Sequence, residues 1–221
     1  MSAADALRRA WRIGGMRVRA ANGRVRLAVL SALHPGLRVD ASASPCFGVA
    51  RISLTPDAKL TIGANAATEY RPGLLNLVVH DGAEIVLEPN SWLRTEVGAV
   101  NLVAFAGARI VVGREVMLNA CSVSAQREVV FERRATVGPG TRIYDFTHDL
   151  DDARRGFAAP VRIGECTWVA SDVTVLPGVT IGAHCVIGAR SVVTRDVPAH
   201  SLAFGAPAQV RGEIGDRSQA G

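Results

Sequence analysis

Residues 163–198 repeat in steps of six without a gap. In chain order the hexads read IGECTW, VASDVT, VLPGVT, IGAHCV, IGARSV and VTRDVP. The first residue of each hexad is Val or Ile, and the fifth is small. A period of six matches neither the roughly 3.6 residues per turn of a helix nor the alternation of a single strand. It fits a short strand and a corner repeated around a prism, so we predict an all-β fold, a parallel β-solenoid.

A second, longer repeat precedes the hexads. Segments 75–93 and 100–118 match at a spacing of 25 residues, with Asn76 aligned on Asn101, Gly82 on Gly107 and Ile85 on Ile110. Three hexads take 18 residues, so each longer repeat has seven more. These seven residues either bulge one side of the prism or project from it. The repeat therefore predicts earlier, less regular coils of the same solenoid.

The hexads are interrupted once. They are regular at Val137 and Ile143, stop at Asp149, and resume at Phe157 and Ile163. Between them, residues 149–156 are polar and charged and contain no inward-facing position. An interruption inside a periodic solenoid predicts a loop that leaves the prism, and such loops carry function more often than the coils do.

The N-terminal residues carry the positive charge of the chain. Residues 1–40 hold eight Arg and two Asp, a net charge of +6, whereas the whole chain has +5. Arginines alternate with apolar residues and glycines interrupt the pattern, which predicts two short helices, near 3–12 and 24–33. Two roles are open and compatible. The segment caps the exposed first coil, or residues 1–33 contact an anionic membrane surface.

These patterns divide the chain into four parts. They are a basic N-terminal helical arm or cap (1–40), irregular coils with the 25-residue repeat (41–137), regular hexapeptide coils with an ejected loop at 149–156 (138–198), and a C-terminal turn and frayed tail (199–221).

Composition bears on the compartment. No apolar run reaches the roughly 18 residues that a membrane span needs, and the N-terminus lacks the apolar core of a signal peptide. The four cysteines are widely spaced without a C-x-x-C pair, which favours small buried thiols in a reducing compartment. We expect a cytoplasmic protein, at the inner membrane face if the basic arm meets the membrane. The basic arm lacks interleaved stacking aromatics, so we expect no nucleic-acid partner.

The hexads, from Trp168 through LPGVTIG to VIGARSVVTRD and the following GAPA, resemble the left-handed β-helix hexapeptide-repeat acyltransferases over about residues 106–212. The resemblance implies a left-handed winding and a homotrimer with active sites between adjacent prisms. It also implies transfer of an acetyl group from acetyl-CoA to a hydroxyl of a sugar or polysaccharide precursor, without a metal.

The same resemblance implies the catalytic residues. His148 ends the hexad IYDFTH directly before the interruption, at the position of the family's catalytic histidine. A neutral imidazole there would take a proton from the acceptor hydroxyl. Asp145 either orients this ring or caps a corner. Asn119, in LNACSV, matches the asparagine that many members place near the histidine, or it belongs to a structural asparagine ladder.

The donor site also follows the resemblance. The pantetheine arm of acetyl-CoA is expected along the groove between prisms, against Trp168, Ala170, Ser171, Ala189, Thr194 and Arg195. Arg195 would pair with the nucleotide phosphates. Trp168 either walls the acceptor or thioester site or packs between subunits. Two residues depart from the family pattern, since Ala170 and Arg190 stand where glycine is common.

The other histidines carry no predicted chemistry. His34, His80 and His200 stand in turns, and His184 stands at a solvated outer corner. A carbonic anhydrase built on this fold would need three zinc histidines, two of them five residues apart, and these spacings contain no such pair. The open alternatives to a sugar O-acetyltransferase are an amino-sugar N-acyltransferase on the same site and a non-catalytic solenoid scaffold. A serine acetyltransferase is disfavoured, because that group carries a large helical N-terminal domain.

Overall fold

A computed structural model of the protein describes residues 21–71, 73–148 and 156–218. Its strands, in chain order, are Leu37–Val39 (β1), Arg51–Leu54 (β2), Lys59–Ile62 (β3), Ala67–Thr68 (β4), Leu75–Val79 (β5), Glu84–Leu87 (β6), Trp92–Arg94 (β7), Val100–Ala104 (β8), Arg109–Val112 (β9), Met117–Asn119 (β10), Ser122–Ala125 (β11), Glu128–Phe131 (β12), Thr136–Val137 (β13), Arg142–Tyr144 (β14), Phe146–His148 (β15), Gly156–Ala158 (β16), Val161–Ile163 (β17), Trp168–Val169 (β18), Thr174–Val175 (β19), Thr180–Ile181 (β20), Val186–Ile187 (β21), Val192–Val193 (β22), Ser201–Gly205 (β23) and Ala208–Glu213 (β24).

The strands form three long sheets that enclose one apolar core. Sheet 1 has the order β1-β3-β6-β9-β12-β17-β20, sheet 2 the order β2-β5-β8-β11-β14-β19-β22, and sheet 3 the order β24-β23-β21-β18-β13-β10-β7-β4. The neighbours pair in parallel, apart from the antiparallel β23–β24 pair. Successive strands along the chain visit sheets 2, 1 and 3 in turn, which makes each coil of a parallel β-helix.

The inward positions of the hexads form the core. The residues in the first position, Ile163, Val169, Val175, Ile181, Ile187 and Val193, are all buried. The fifth-position residues, Thr167, Val173, Val179, Cys185, Ser191 and Val197, are buried as well. Each fully buried Val or Ile stabilises the fold by roughly 1.5–3 kcal/mol. The prediction of a parallel β-solenoid is confirmed.

The fourth hexad position makes the turn at each corner. Cys166, Asp172, Gly178, His184 and Arg190 all have φ between 55° and 80°. Only one of the five is glycine, so the corner imposes a left-handed conformation on ordinary residues at a cost on the order of 1 kcal/mol each. Arg190, which departs from the family's glycine, adopts this conformation with φ 59° and an exposed side chain.

The 25-residue repeat consists of larger coils. Its partners lie in register on adjacent strands, as Asn76 beside Asn101 and Ile85 beside Ile110. One such coil has strands of five, four and three residues, whereas the three strands of a later coil have two residues each. Six of the seven extra residues therefore lengthen the three sides of the coil, and the seventh enlarges a corner. They neither bulge a single side nor project from the prism.

A helix covers the N-terminal end of the solenoid. Residues 21–33 are helical (α1), where the sequence predicts a helix near 24–33; the predicted helix near 3–12 lies outside the described residues. Leu27 is buried and Leu30 packs against the core. The Arg26 guanidinium donates to the Gly48 carbonyl oxygen at 2.6 Å. This described part of the arm is a cap on the first coil. None of the described helices is long and apolar enough to cross a membrane.

The interruption is a hairpin. Strands β15 and β16 pair antiparallel, with Thr147 opposite Phe157 and His148 opposite Gly156. The prediction that Phe157 resumes the inward register is wrong, because the hairpin pairing leaves its side chain 60% exposed. The coil resumes at Val161, which is buried and pairs with Val129. The chain therefore leaves the prism directly after Asp145, before the predicted loop begins.

Candidate active site

His148 lies on the hairpin that leaves the solenoid. Its backbone ends β15 and is paired with Gly156. Asp149 and the rest of the loop through 155 lie outside the described residues. The sequence thus correctly locates an excursion beside this histidine, and the role of His148 as a base stays a prediction.

Asp145 closes the base of the hairpin. Its buried carboxylate accepts hydrogen bonds from the backbone N–H groups of Gln126 and Arg127, each at 2.7 Å. Its carbonyl oxygen accepts from the Ala159 N–H at 2.8 Å, where the chain returns to the prism. The structure therefore gives this carboxylate the corner-capping role. An additional role in orienting His148 stays a prediction.

An aromatic cluster supports the same base. The rings of His80 and Phe105 stack at 5.5 Å with an interplanar angle of 7°. Phe146, the first residue of β15, meets Phe105 edge-on at 5.6 Å and lies 6.2 Å from Tyr144. Sequence reasoning missed this cluster, because its members face outward and the repeat pattern records only the inward positions.

The predicted donor residues lie along two corners of the prism. Thr194 and Arg195 follow β22 at the corner where sheet 2 ends, on the same corner as Asp145, which follows β14. The other corner lies where sheet 3 ends: Ala170 and Ser171 follow β18, and Ala189 follows β21. One copy of the chain therefore presents two separate halves of the predicted site, on either side of sheet 2.

Asn119 belongs to the second of these corners. It ends β10 in sheet 3 and pairs in register with Arg94. Its Oδ1 is buried and has no hydrogen-bond partner among the described residues. An unsatisfied buried acceptor costs about 1–3 kcal/mol, and no described residue offsets that cost for Asn119. Within one chain Asn119 and the His148 hairpin lie at opposite edges of sheet 2.

Trp168 lies on the outer face of sheet 3, 44% exposed. The Arg217 guanidinium lies over its ring, 5.9 Å from the centroid. Together with Met117, Thr136, Arg134, Cys166 and Thr167, these two residues line a cavity of about 310 Å³. Trp168 therefore forms one wall of this cavity, and both of its predicted roles, in the site or between subunits, stay predictions.

Two expectations about the C-terminal part are wrong. His184 was expected to be solvated, but it is half-buried, stacks on His200 at 4.8 Å, and its Nδ1 accepts from the Arg217 N–H at 3.0 Å. The tail was expected to fray, but residues 214–218 follow these corners, and the Ile214 N–H donates to the His200 carbonyl oxygen. The repeat pattern does not predict these contacts, because they involve side chains outside the inward-facing hexad positions.

The cysteines fit the predicted buried thiols. All four are free, with Cys121, Cys166 and Cys185 buried and Cys46 partly exposed. Burial raises the pKa of the Cys121 thiol to about 12, so this thiol stays protonated and unreactive. Over the described ranges, no group of three or more His, Cys, Asp or Glu side chains is placed to hold a metal ion.

Comparison with known proteins agrees with this architecture. Residues 160–195 match the model of the bacterial transferase hexapeptide (six repeats). A presumed acetyltransferase of Staphylococcus aureus (strain COL) is 55% identical over 71 residues. The match covers 30% of this chain and 36% of that protein, so the chain spans about a third of the length of this relative.

Solved structures extend the likeness over most of the chain. A hexapeptide-repeat acetyltransferase of Vibrio cholerae, complexed with acetyl coenzyme A, has a TM-score of 0.52 at 19% identity over 93% of this chain and 90% of that chain, which shows the same fold. A galactoside acetyltransferase in complex with coenzyme A has a TM-score of 0.53 at 27% identity over 62% of this chain and 68% of that chain. Residues 160–195 therefore carry the hexapeptide repeat of bacterial transferases, and the chain has the fold of the Vibrio cholerae acetyltransferase, a left-handed β-helix.

Proposed function

We propose that this protein transfers an acetyl group from acetyl-CoA to a hydroxyl of a sugar or polysaccharide precursor. The observation that carries the proposal is the hairpin, whose first strand ends at His148 and which leaves the prism at the corner that also bears Thr194 and Arg195. The acetyltransferase names of the relatives and the coenzyme A bound to the galactoside acetyltransferase support the same reaction class.

The proposed step needs one base and no covalent enzyme intermediate. The neutral imidazole of His148 takes the proton of the acceptor hydroxyl while that oxygen attacks the thioester carbonyl carbon. The carbon–sulfur bond then breaks, and the coenzyme A thiolate leaves and takes the proton back. A backbone N–H of segment 169–171, at the corner after β18, would stabilise the charge on the carbonyl oxygen.

The proposed homotrimer follows from the division of the site. Asn119, Ala170 and Ala189 lie on one corner and the His148 hairpin lies on another. A second copy that places its hairpin against the first corner would complete a site that one copy leaves divided. The half-buried Val186 and Val192 supply apolar surface for such packing.

Calorimetry with coenzyme A, together with thiol release from acetyl-CoA, tests the proposal. We expect saturable binding and thiol release with neutral sugars. Arg195→Gln is expected to weaken binding about tenfold, because it removes a charge-assisted hydrogen bond to a phosphate. Release with amino sugars alone would favour the N-acyltransferase. No binding by the wild type would leave a scaffold protein.

We further propose that the N-terminal arm contacts an anionic membrane surface, where some acceptors are lipid-linked. On α1 the side chains of Val25, Val29 and Leu33 recur every four residues and are exposed. Cosedimentation with phosphatidylglycerol vesicles at low salt is expected, and little with phosphatidylcholine. Replacing the three residues by glutamine should abolish it. Unchanged cosedimentation of that variant would refute the contact.

A further inference from the structure

The C-terminal tail, residues 214–218, is fixed along one edge of the prism. The Ile214 N–H donates to the His200 carbonyl oxygen at 2.6 Å, and the Arg217 N–H donates to His184 Nδ1 at 3.0 Å. The Arg134 guanidinium donates to the Ser218 carbonyl oxygen. These bonds reach three of four successive coils, since the coil of Cys166 lies between those of Arg134 and His184. The tail is therefore placed by the solenoid, and with it the side chain of Arg217.

Arg217 reaches from this tail over the outer face of sheet 3. Its guanidinium lies 5.9 Å above the Trp168 ring and lines the cavity of about 310 Å³ there. Met117 and Thr136, in register with Trp168 on neighbouring strands of sheet 3, add an apolar side chain and a hydroxyl to the lining. Such a cavity has room for a planar or ring-shaped group with a charged substituent.

The cavity is positively charged. Two of its lining residues are arginines, Arg134 and Arg217, and no acidic side chain lines it among the described residues. Glu115 lies 3.8 Å from Arg134 Nε and offsets the charge of that arginine, so Arg217 supplies the uncompensated positive charge. The carboxylate of Asp216 accepts a hydrogen bond from the Ser218 N–H at 2.7 Å. Arg217 has no ion pair with any described residue.

One donor of Arg217 is unsatisfied. The Nε–H of Arg217 is buried and has no hydrogen-bond partner in the described parts of the chain. A buried guanidinium donor without a partner is costly, and a carboxylate or phosphate satisfies it best, because the guanidinium fork matches two anionic oxygens. A neutral hydroxyl would supply one weaker bond.

We infer that the cavity beside Trp168 binds a carboxylate or phosphate group of a substrate through Arg217. The inference deepens the proposed function and rests on it for the identity of the substrate. The anion has two chemical sources, an acidic sugar in the acceptor or the diphosphate of the donor. The Trp168 ring would pack against the neutral part of the same molecule.

Quenching of Trp168 fluorescence by small anions tests the site without turnover. The probes are sodium glucuronate, sodium pyrophosphate and, as the neutral comparison, glucose, at constant ionic strength. We expect saturable quenching by an anion but not by glucose, and its loss in Trp168→Phe. Arg217→Gln should raise the dissociation constant about tenfold, and Arg217→Lys should raise it less. Arg211→Gln is the matched control, since Arg211 lies 5.9 Å over Phe204, outside the cavity.

The outcomes separate the two hypotheses. Equal binding by wild type and Arg217→Gln, equal affinity for glucose and for both anions, or no saturable quenching by either anion would each overturn the anion site. Preference for glucuronate assigns it to the acceptor, with a matching rise in the acceptor KM of Arg217→Gln. Preference for pyrophosphate assigns it to acetyl-CoA. Anion binding without any acetyl transfer would retain this site and refute only the proposed function.

Discussion

Replacing His148 by alanine is expected to lower kcat for acetyl transfer by a factor of about 10²–10⁴, the usual contribution of a general base. The dissociation constant of coenzyme A should stay unchanged. The hydroxyl of a sugar is a poor nucleophile while it keeps its proton, and the base removes that proton during the attack. Binding of coenzyme A does not involve this proton transfer, so the substitution should lower kcat alone. Steady-state thiol release and calorimetry on the same samples measure the two quantities.

The pH profile sharpens this test. A histidine acts as a base only in its neutral form, so the wild-type rate should rise with pH as the imidazole loses its proton. In His148→Ala this rise should disappear, and added imidazole should restore part of the rate. His34→Ala is the control, because His34 stands at the turn after α1. Turnover intact in His148→Ala would rule out His148 as the base and would leave the assignment of the fold unchanged.

The core of this protein was predictable because one column of side chains determines it. A first-position residue such as Ile163 or Val175 has to be aliphatic wherever a coil is narrow, so the sequence shows the period directly. The longer coils show the same period in a weaker form, since Ile85 and Ile110 stay in register at a spacing of 25. Inward positions are constrained by packing, and packing leaves a readable pattern.

The divided site was only partly predictable. The motif predicted that the chain leaves the prism near His148. The exact residue at which it leaves depends on the Asp145 carboxylate and on the edge-on contact of Phe146 with Phe105. The two residues of that contact are far apart in sequence and both face outward, where almost any residue is tolerated. The contact of Arg217 with Trp168 is hidden for the same reason, since a tail outside the repeats makes it. Function here sits on outward positions, which the repeat leaves free.

Asp145→Ala is expected to lower the free energy of unfolding by roughly 3–5 kcal/mol. The buried carboxylate holds two backbone N–H groups at 2.7 Å, and each charge-assisted bond contributes about 1.5–3 kcal/mol. Its removal also leaves the Gln126 and Arg127 amides without acceptors. Denaturant titration measures the loss, and hydrogen exchange at these two amides should accelerate. The loss of unfolding free energy in Asp145→Asn should be intermediate, because the asparagine keeps one acceptor oxygen and turns an N–H toward the other backbone amide.

The same variant decides between the two roles that the sequence left open for Asp145. If the carboxylate caps the corner, the free energy of unfolding of Asp145→Ala falls with or without substrate. The control is Asp81→Ala, at an exposed corner, which should change the free energy of unfolding by less than about 0.5 kcal/mol. If the carboxylate serves only to orient His148, stability stays at the wild-type value and kcat alone falls. A wild-type denaturation midpoint for Asp145→Ala would therefore contradict the capping role. Because the hairpin that carries His148 begins at the next residue, we expect Asp145→Ala to lower kcat as well, by loosening the hairpin rather than by changing the base.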